Sequence, residues 1–256
     1  MALTLDLTGQ RVLVIGASAG VGRAVAQLAA SSGARVALAA RRRERLEEAA
    51  KGIAASGGEA HPLPCDVTRE ADCRDAVAQA VSLLGGLDAL VYAPGISPLR
   101  MLQEATQQEW HEVLDVNLIG ASLIAAAAVS HLEESGGRAV FVGSYAVRQT
   151  LPGISLYSVS KVALDGLLVA WRMEHPDVDF TRVVLGNTGG TEFADGWGPE
   201  RTAAAVKIWI ERGLFAAPNM MSLEAAAEAI TSVLAIQGYV DDIAIMPRTR
   251  DPSAGS

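Results

Sequence analysis

The feature that most limits what this chain can fold into is a junction near its start. A short apolar run, Arg11 to Ile15, passes directly into Gly16-Ala17-Ser18-Ala19-Gly20-Val21-Gly22 and then into a helical pattern from Val21 to Ala30. An apolar run of this length between glycines reads as a strand buried on both faces. A strand, a glycine turn and a helix in that order open an α/β layer architecture. The rest of the chain repeats the alternation. Strands are expected at Arg35 to Ala39, Ala60 to Cys65, Leu87 to Tyr92, Arg138 to Gly143, Asp179 to Leu185 and Tyr239 to Met246. Helices are expected at Arg43 to Ala55, Arg69 to Leu84, Thr106 to Leu132, Leu156 to Glu174 and Leu223 to Ile236. This predicts one parallel sheet covered on both faces, in a single Rossmann-type domain spanning residues 1–256. The segment Gly186 to Ser222, which holds Phe193, Trp197, Trp209 and Phe215, has no place in the alternation. An insertion this long is expected to be a substrate lid, although Trp197 and Trp209 also suit plain packing. The tail from Arg248 is expected to be loose.

Composition narrows the function. Half of the residues are hydrophobic but only 5% are aromatic, which suits tightly packed helices on a sheet. A net charge of −8 disfavours a nucleic-acid partner. Cys65 and Cys73 give no disulfide framework and suit a reducing cytoplasm. The histidines His61, His111, His131 and His175 are scattered, so no metal site is expected. No signal peptide is read at the start. The longest apolar stretch, near Leu118 to Val129, looks too short to cross a membrane. A cytoplasmic protein without membrane partners is expected.

The glycine loop carries chemistry. Glycine permits close backbone approach to a ligand, and the helix start offers free N–H groups and partial positive charge to a phosphate. The spacing is G-x-x-x-G-x-G, and the loop residues Gly16, Ser18, Ala19, Gly20, Val21 and Gly22 are assigned to a dinucleotide. Its adenosine end is read from the second strand. An acid there would receive the ribose hydroxyls of NAD. This chain instead has Ala40 followed by Arg41, Arg42 and Arg43 at a helix start. Cations are disfavoured there unless an anion joins them, and arginine grips phosphate with paired hydrogen bonds. NADP is therefore favoured over NAD, with Arg41 and then Arg42 as its partners. A solvated turn paired with Glu44, Glu47 and Glu48 is the alternative for Arg42 and Arg43.

Tyr157 and Lys161 lie four residues apart and share one helical face. A nearby ammonium favours the phenolate, which would lower the tyrosine pKa toward a useful acid–base range. Ser144 closes the fifth strand, where its hydroxyl can meet a substrate oxygen.

Taken together, the chain resembles the short-chain dehydrogenase/reductase superfamily, in its single-domain branch, from about Leu7 to about Pro247. The resemblance implies a doubly wound sheet of order 3-2-1-4-5-6-7. It implies that Gly16, Gly20 and Gly22 form the family glycine motif and that Asp66-Val67 meets the adenine. The alternative for Asp66 is to cap the helix that follows. By the same resemblance, Asn117 kinks the long helix and holds a proton-relay water. Ser144, Tyr157 and Lys161 are then the catalytic group: Tyr157 moves the proton, Lys161 holds the nicotinamide ribose and Ser144 polarises the carbonyl. A homodimer or homotetramer through helices 106–132 and 156–174 is also implied. Ala125 to Ala128 would suit that contact, or packing on the chain's own sheet.

Three departures stand out. The family Asn-Asn-Ala-Gly is Tyr92-Ala93-Pro94-Gly95 here, so Ala93 and Gly95 retain only backbone approach to the cofactor. The Pro-Gly after the sixth strand is Thr188-Gly189, with Thr191 expected at the carboxamide. The threonine before the first glycine is Ile15, a loss of one local hydrogen bond. The expected activity is NADP(H)-dependent interconversion of a small-molecule carbonyl and an alcohol. The alternative is a dinucleotide-binding redox sensor without turnover. Epimerases and dehydratases of this kind usually carry a C-terminal extension.

Overall fold

The computed structural model describes residues 5–214 and 220–247. The expected loose tail from Arg248, and Phe215 in the expected lid, lie outside them. Seven parallel strands form one sheet: β1 (Arg11–Ile15), β2 (Arg35–Ala40), β3 (Glu59–Pro64), β4 (Ala89–Tyr92), β5 (Arg138–Ser144), β6 (Asp179–Leu185) and β7 (Asp242–Ile245). Their order is β3-β2-β1-β4-β5-β6-β7, as the resemblance implies. The order reverses direction between β1 and β4, and such a switch point opens a crevice at the strand C-termini.

The helices are α1 (Gly20–Ser31), α2 (Arg43–Ala55), α3 (Glu70–Leu84), α4 (Gln107–Leu114), α5 (Gly120–Ser135), α6 (Ser155–Glu174), α7 (Pro199–Glu211) and α8 (Leu223–Ala235). Two large cores lie on opposite faces of the sheet. Val25, Leu46 and Ile230, from α1, α2 and α8, meet one face. Val77, Ile124 and Leu164, from α3, α5 and α6, meet the other. The small side chains of α5 face inward: Ala125 and Ala128 are buried against the chain's own sheet. A third, smaller cluster joins Leu99, Ile154, Ala205 and Trp209.

Local chemistry explains several boundaries. β3 ends at Pro64 and contains Pro62, yet it is an edge strand. The Cys65 N–H beyond it bonds back to Ala40 on β2, so the two prolines, offset from it, put their missing donors on the free side. Thr106 starts α4 with a capping box, its hydroxyl accepting from the Glu109 N–H while the Glu109 carboxylate accepts from the Thr106 N–H.

Three expectations are sharpened or corrected. The helix expected from Thr106 to Leu132 is broken where the resemblance puts a kink at Asn117, by a five-residue π turn, Asp115–Ile119, between α4 and α5. With that turn, the run Gln107–Ser135 is long and apolar enough, by length and composition, to cross a membrane, so the apolar stretch is longer than the sequence reading allowed. Here that helix spends its apolar side on the sheet and on α3, with Ile124 and Leu132 fully buried. The segment 186–222, for which the alternation gave no element, contains α7. Its start is a Gly198-Pro199-Glu200 junction, a helix-opening pattern of proline at the first turn followed by an acid.

Candidate active site

Every candidate residue lies at the C-terminal edge of the sheet or on the helix and loop that border it. The glycine loop begins with Gly16 at φ +84° and reaches Gly20 at φ +54°, conformations that side chains resist. Gly22 is required for a different reason. A Cβ there would lie 2.4 Å from the Gly16 carbonyl oxygen, so the first turn of α1 closes directly on the loop. The residue before α1, Ala19, offers no side-chain cap, and the first turn carries no acid. The donors at this helix start therefore face the crevice without a side-chain partner, which is the arrangement that receives a phosphate. Val21 packs on the core beneath, and Thr191 lies against Gly20, 3.8 Å from where a Cβ would stand.

The arginines after β2 divide. Arg43 pairs with Glu47 at 2.8 Å. Arg41 is exposed and makes no hydrogen bond or ion pair among the described residues. Arg42 turns to the glycine loop, where Nη2 donates to the Ser18 hydroxyl at 3.0 Å, and also pairs with Glu192 at 2.7 Å. Asp66 makes an Asx turn, with Oδ1 accepting from the Thr68 N–H and hydroxyl, while the residue before α3 is Arg69. Oδ2 has no protein partner among the described residues. Asp66 thus stays available at the crevice and does not cap α3 directly. Val67 is buried, its carbonyl accepting from Cys73 Sγ at 3.5 Å.

The Tyr92-to-Gly95 departure has a structural answer. Tyr92 points into the core, fully buried, and its hydroxyl donates to the Val116 carbonyl at 2.5 Å. Val116 belongs to the π turn, whose wider i→i+5 pairing leaves helix carbonyls seeking other donors. Pro94 packs on Gly16, its ring 3.2 Å from where a Cβ would stand. The Ala93 N–H bonds back to Ile15 at 3.1 Å, and Gly95 lies beside Tyr157 and Lys161. Asn117, in the same π turn, is wholly buried. Its Oδ1 accepts from the Ile96 N–H at 2.9 Å, and its Nδ2 donates to the Ile96 carbonyl at 3.0 Å and the Ser160 hydroxyl at 2.9 Å. It therefore joins the loop after β4 to α6, the helix that carries Tyr157 and Lys161.

Ser144 ends β5, and its Oγ accepts from the Ala146 N–H at 3.1 Å. Its hydroxyl also meets the Tyr157 phenol, a contact that favours the phenolate. Burial acts more strongly and pushes the Tyr157 pKa up to about 12. The expected lowering by Lys161 is corrected for this closed arrangement. Lys161 Nζ stands 5.8 Å from the Tyr157 ring centroid and donates instead to the Val142 carbonyl at 2.8 Å. Burial depresses Lys161 itself to about 8, with Asp165 one turn away opposing the shift. Phe193 closes the site, edge-on to Tyr157 at 4.8 Å between ring centroids. Trp197 follows at 5.5 Å and Trp209 beyond it at 6.4 Å. Both indole N–H groups are anchored, on the Ser97 and Pro152 carbonyls. After β6, the Thr188 hydroxyl bonds the Gly186 carbonyl, and the Gly189 N–H bonds Met221.

Sequence reasoning missed Arg45, Ser160 and Glu192. Ser160 faces Asn117 across 43 residues of chain, and Glu192 meets Arg45 across 147, separations that leave no local pattern to read. Among the described residues no group of three His, Cys, Asp or Glu side chains could hold a metal ion.

Comparison with known proteins places this geometry. The pattern of the short chain dehydrogenase family matches residues 10–202. An uncharacterised oxidoreductase of Listeria monocytogenes is 35% identical over 171 residues, covering 66% of this chain and 69% of the relative. A short chain dehydrogenase from Burkholderia cenocepacia, solved in complex with NADP, superposes with a TM-score of 0.79 at 30% identity, covering 94% of this chain and 98% of that one. An alcohol dehydrogenase from Thermococcus sibiricus, complexed with 5-hydroxy-NADP, gives 0.82 at 25% identity, covering 95% and 98%.

Proposed function

Since the chain belongs to the short-chain dehydrogenase/reductase family, we propose that it is an NADP(H)-dependent oxidoreductase interconverting a carbonyl and a secondary alcohol. The observation that carries this reading is the meeting of Ser144 and Tyr157 beside Gly95 and the buried Lys161, at the mouth of a glycine cradle. The cradle fits a dinucleotide: its first helical turn is uncapped, Gly22 has no room for a Cβ, and Gly16 and Gly20 hold a positive φ. Gly16, Ser18, Ala19, Gly20, Val21 and Gly22 would hold the pyrophosphate, and Asp66 and Val67 the adenine. Arg42, and Arg41 beside it, would hold a 2′-phosphate. Ala93, Gly95, Thr188, Gly189 and Thr191 would border the nicotinamide half. The nicotinamide, when bound, supplies or accepts the hydride.

The protein's own part is acid–base work and exclusion of water. Ser144 orients and polarises the substrate oxygen. Tyr157 gives that oxygen its proton in reduction and takes it back in oxidation. A phenol held near pKa 12 is a reluctant acid, so a cation is needed beside it at the moment of transfer. Lys161, whose Nζ now donates to the Val142 carbonyl, would hold the ribose of a bound cofactor and supply that cation beside Tyr157. Both Nδ2 hydrogens of Asn117 are engaged, so the proton link to solvent that the family implies uses its second Oδ1 lone pair or the adjoining main chain. Residues 186–222 act as the lid, with Phe193, Trp197 and Trp209 giving an apolar, aromatic wall suited to apolar carbonyl substrates.

A second reading, a redox sensor without turnover, draws on Phe193, which stands over Tyr157 where a substrate must enter. In either reading the chain is one Rossmann-type domain and cytoplasmic, its two cysteines free. It is a homodimer or homotetramer: Val159, Val162, Val169 and Met173 leave an apolar stripe exposed on α6. The test is direct titration with NADPH and NADH, then a carbonyl screen with wild type and Tyr157→Phe. Turnover that falls about 10²–10⁴-fold in the variant, with cofactor binding kept, is expected. NADPH binding without turnover of any carbonyl favours the sensor. NADH binding as tight as NADPH overturns the cofactor choice.

A further inference from the structure

The Arg42 side chain does not wait for a ligand alone. Glu192 reaches across the crevice from the first residues of the lid segment and joins two arginines of the second βα unit. Its Oε2 pairs with Arg42 Nη2 at 2.7 Å, and its Oε1 pairs with Arg45 Nη1. Arg42 is held in turn by the Ser18 hydroxyl on the glycine loop. Glycine loop, α2 and lid are thus tied by one chain of side chains: Ser18, Arg42, Glu192, Arg45. Thr191, the preceding residue, faces Gly20 at 3.8 Å from where a Cβ would stand, so the backbone that carries Glu192 passes close to the pyrophosphate cradle. The two arginines hold the Glu192 carboxyl below the usual carboxylate range, so it is an anion at neutral pH.

Two of the neighbouring acids already have other partners. Glu47 is bound to Arg43 and Glu48 to Arg23. A bidentate carboxylate bridging two guanidinium groups has the charge and the paired oxygens of a phosphate monoester, but fewer of each. The tie is also weak. Arg42, Arg45 and Glu192 are 44%, 48% and 38% exposed, and solvent screens pairs of this kind. A dianionic phosphate arriving at the same guanidinium groups would displace it, while a ribose hydroxyl would not.

We propose that Glu192 is a cofactor-responsive latch: its carboxylate occupies the Ser18–Arg42–Arg45 cradle, holds the lid across the crevice, and is displaced by the 2′-phosphate of NADP(H) but not by NAD(H). The inference rests on the dinucleotide reading given above. It adds that the lid and the adenosine end of the cofactor are coupled through one carboxylate. NADP(H) frees the lid segment as it binds. NAD(H) leaves the arginines engaged with Glu192 and the lid tied down.

The experiment is equilibrium titration of NADPH and NADH against wild type and Glu192→Gln, at low and at raised salt, with thermal melting to show that both are folded. The substitution is isosteric and solvent-exposed. It is expected to tighten NADPH about three- to tenfold at low salt by removing the competing anion, with the gain shrinking at raised salt. NADH affinity is expected to stay the same or weaken, so the preference for NADPH over NADH rises. If that preference is unchanged or falls, the latch is overturned, and a loss of NADPH affinity would make Glu192 a clamp on the bound cofactor. A wild type that prefers NADH would refute the NADP(H) reading by itself. The latch would still be judged by the change in the ratio.

Discussion

Lys161 gives the sharpest quantitative test, because its stability contribution has a sign and a pH window. Burial carries its pKa from 10.5 in the unfolded chain to about 8 in the folded one. Below pH 8 both states hold the ammonium, and the folded protein bears the whole cost of burying it. Above pH 10.5 both are neutral and the cost is gone. Between these limits the unfolded chain binds more protons, so stability rises with pH. At about 1.4 kcal/mol per pKa unit the full window corresponds to about 3 kcal/mol. No discount for screening applies, since Lys161 is only 2% exposed. Lys161→Met keeps a similar length and removes the charge. Urea unfolding of both proteins without cofactor, from about pH 7.5 to about pH 9.5, isolates the effect from other titrating groups. The wild-type free energy should gain on that of the variant by roughly 1 kcal/mol or more per pH unit across the upper part of this range. Tyr157 works in the opposite direction, since its raised pKa contributes stability that is lost only as pH climbs from 10 toward 12. It is present in both proteins and lies above the measured range. Curves that run parallel would refute the claim that a buried ammonium, held by the Val142 carbonyl, is the state of Lys161 before the cofactor binds.

Two further substitutions probe the frame. Tyr92→Phe leaves the Val116 carbonyl without its donor inside the core, and should cost about 1–3 kcal/mol, seen as a melting point lower by several degrees. An unchanged melting point would mean the bond contributes nothing. Gly22→Ala drives a methyl group onto the Gly16 carbonyl at 2.4 Å, against backbone that cannot swing aside. It should weaken NADPH binding by at least about tenfold, or 1.4 kcal/mol, and retained affinity would show that the cradle is not where the cofactor sits.

The sheet is legible in the sequence because the central strands are short apolar runs closed by glycine or by polar residues, while the edge strands β3 and β7 are more mixed. Tyr157 and Lys161 are legible as a pair because one helical turn joins them. What is not legible is set by contacts between distant segments. The resemblance marks a kink at Asn117, but the form of the π turn at Asp115–Ile119 is not legible, since it is held open by Tyr92 from β4 and by Asn117 bonding to Ile96 and Ser160. The Tyr157 pKa departs from the sequence expectation because Phe193, remote in sequence, encloses the phenol, and because Lys161 turns to a main-chain carbonyl. Arg42 rather than Arg41 turns to Ser18, a choice made by side-chain direction at the strand end that composition does not reveal. The Gly198-Pro199-Glu200 start of α7 is readable as a helix opening, but it sits in a segment that breaks the alternation of strands and helices.

The third hydrophobic cluster has a consequence for how such a protein can change. Leu99, Ile154, Ala205 and Trp209 share no residue with the cores on the two faces of the sheet. Mutations that reshape this cluster draw on a separate, small reserve of buried surface. They can accumulate without eroding the free energy that holds strands and dinucleotide cradle together. Substrate range can therefore drift over generations while the sheet and its glycine cradle stay fixed, and such changes reach the proton-transfer group through the ring contacts that run from Trp209 by way of Trp197 and Phe193 to Tyr157.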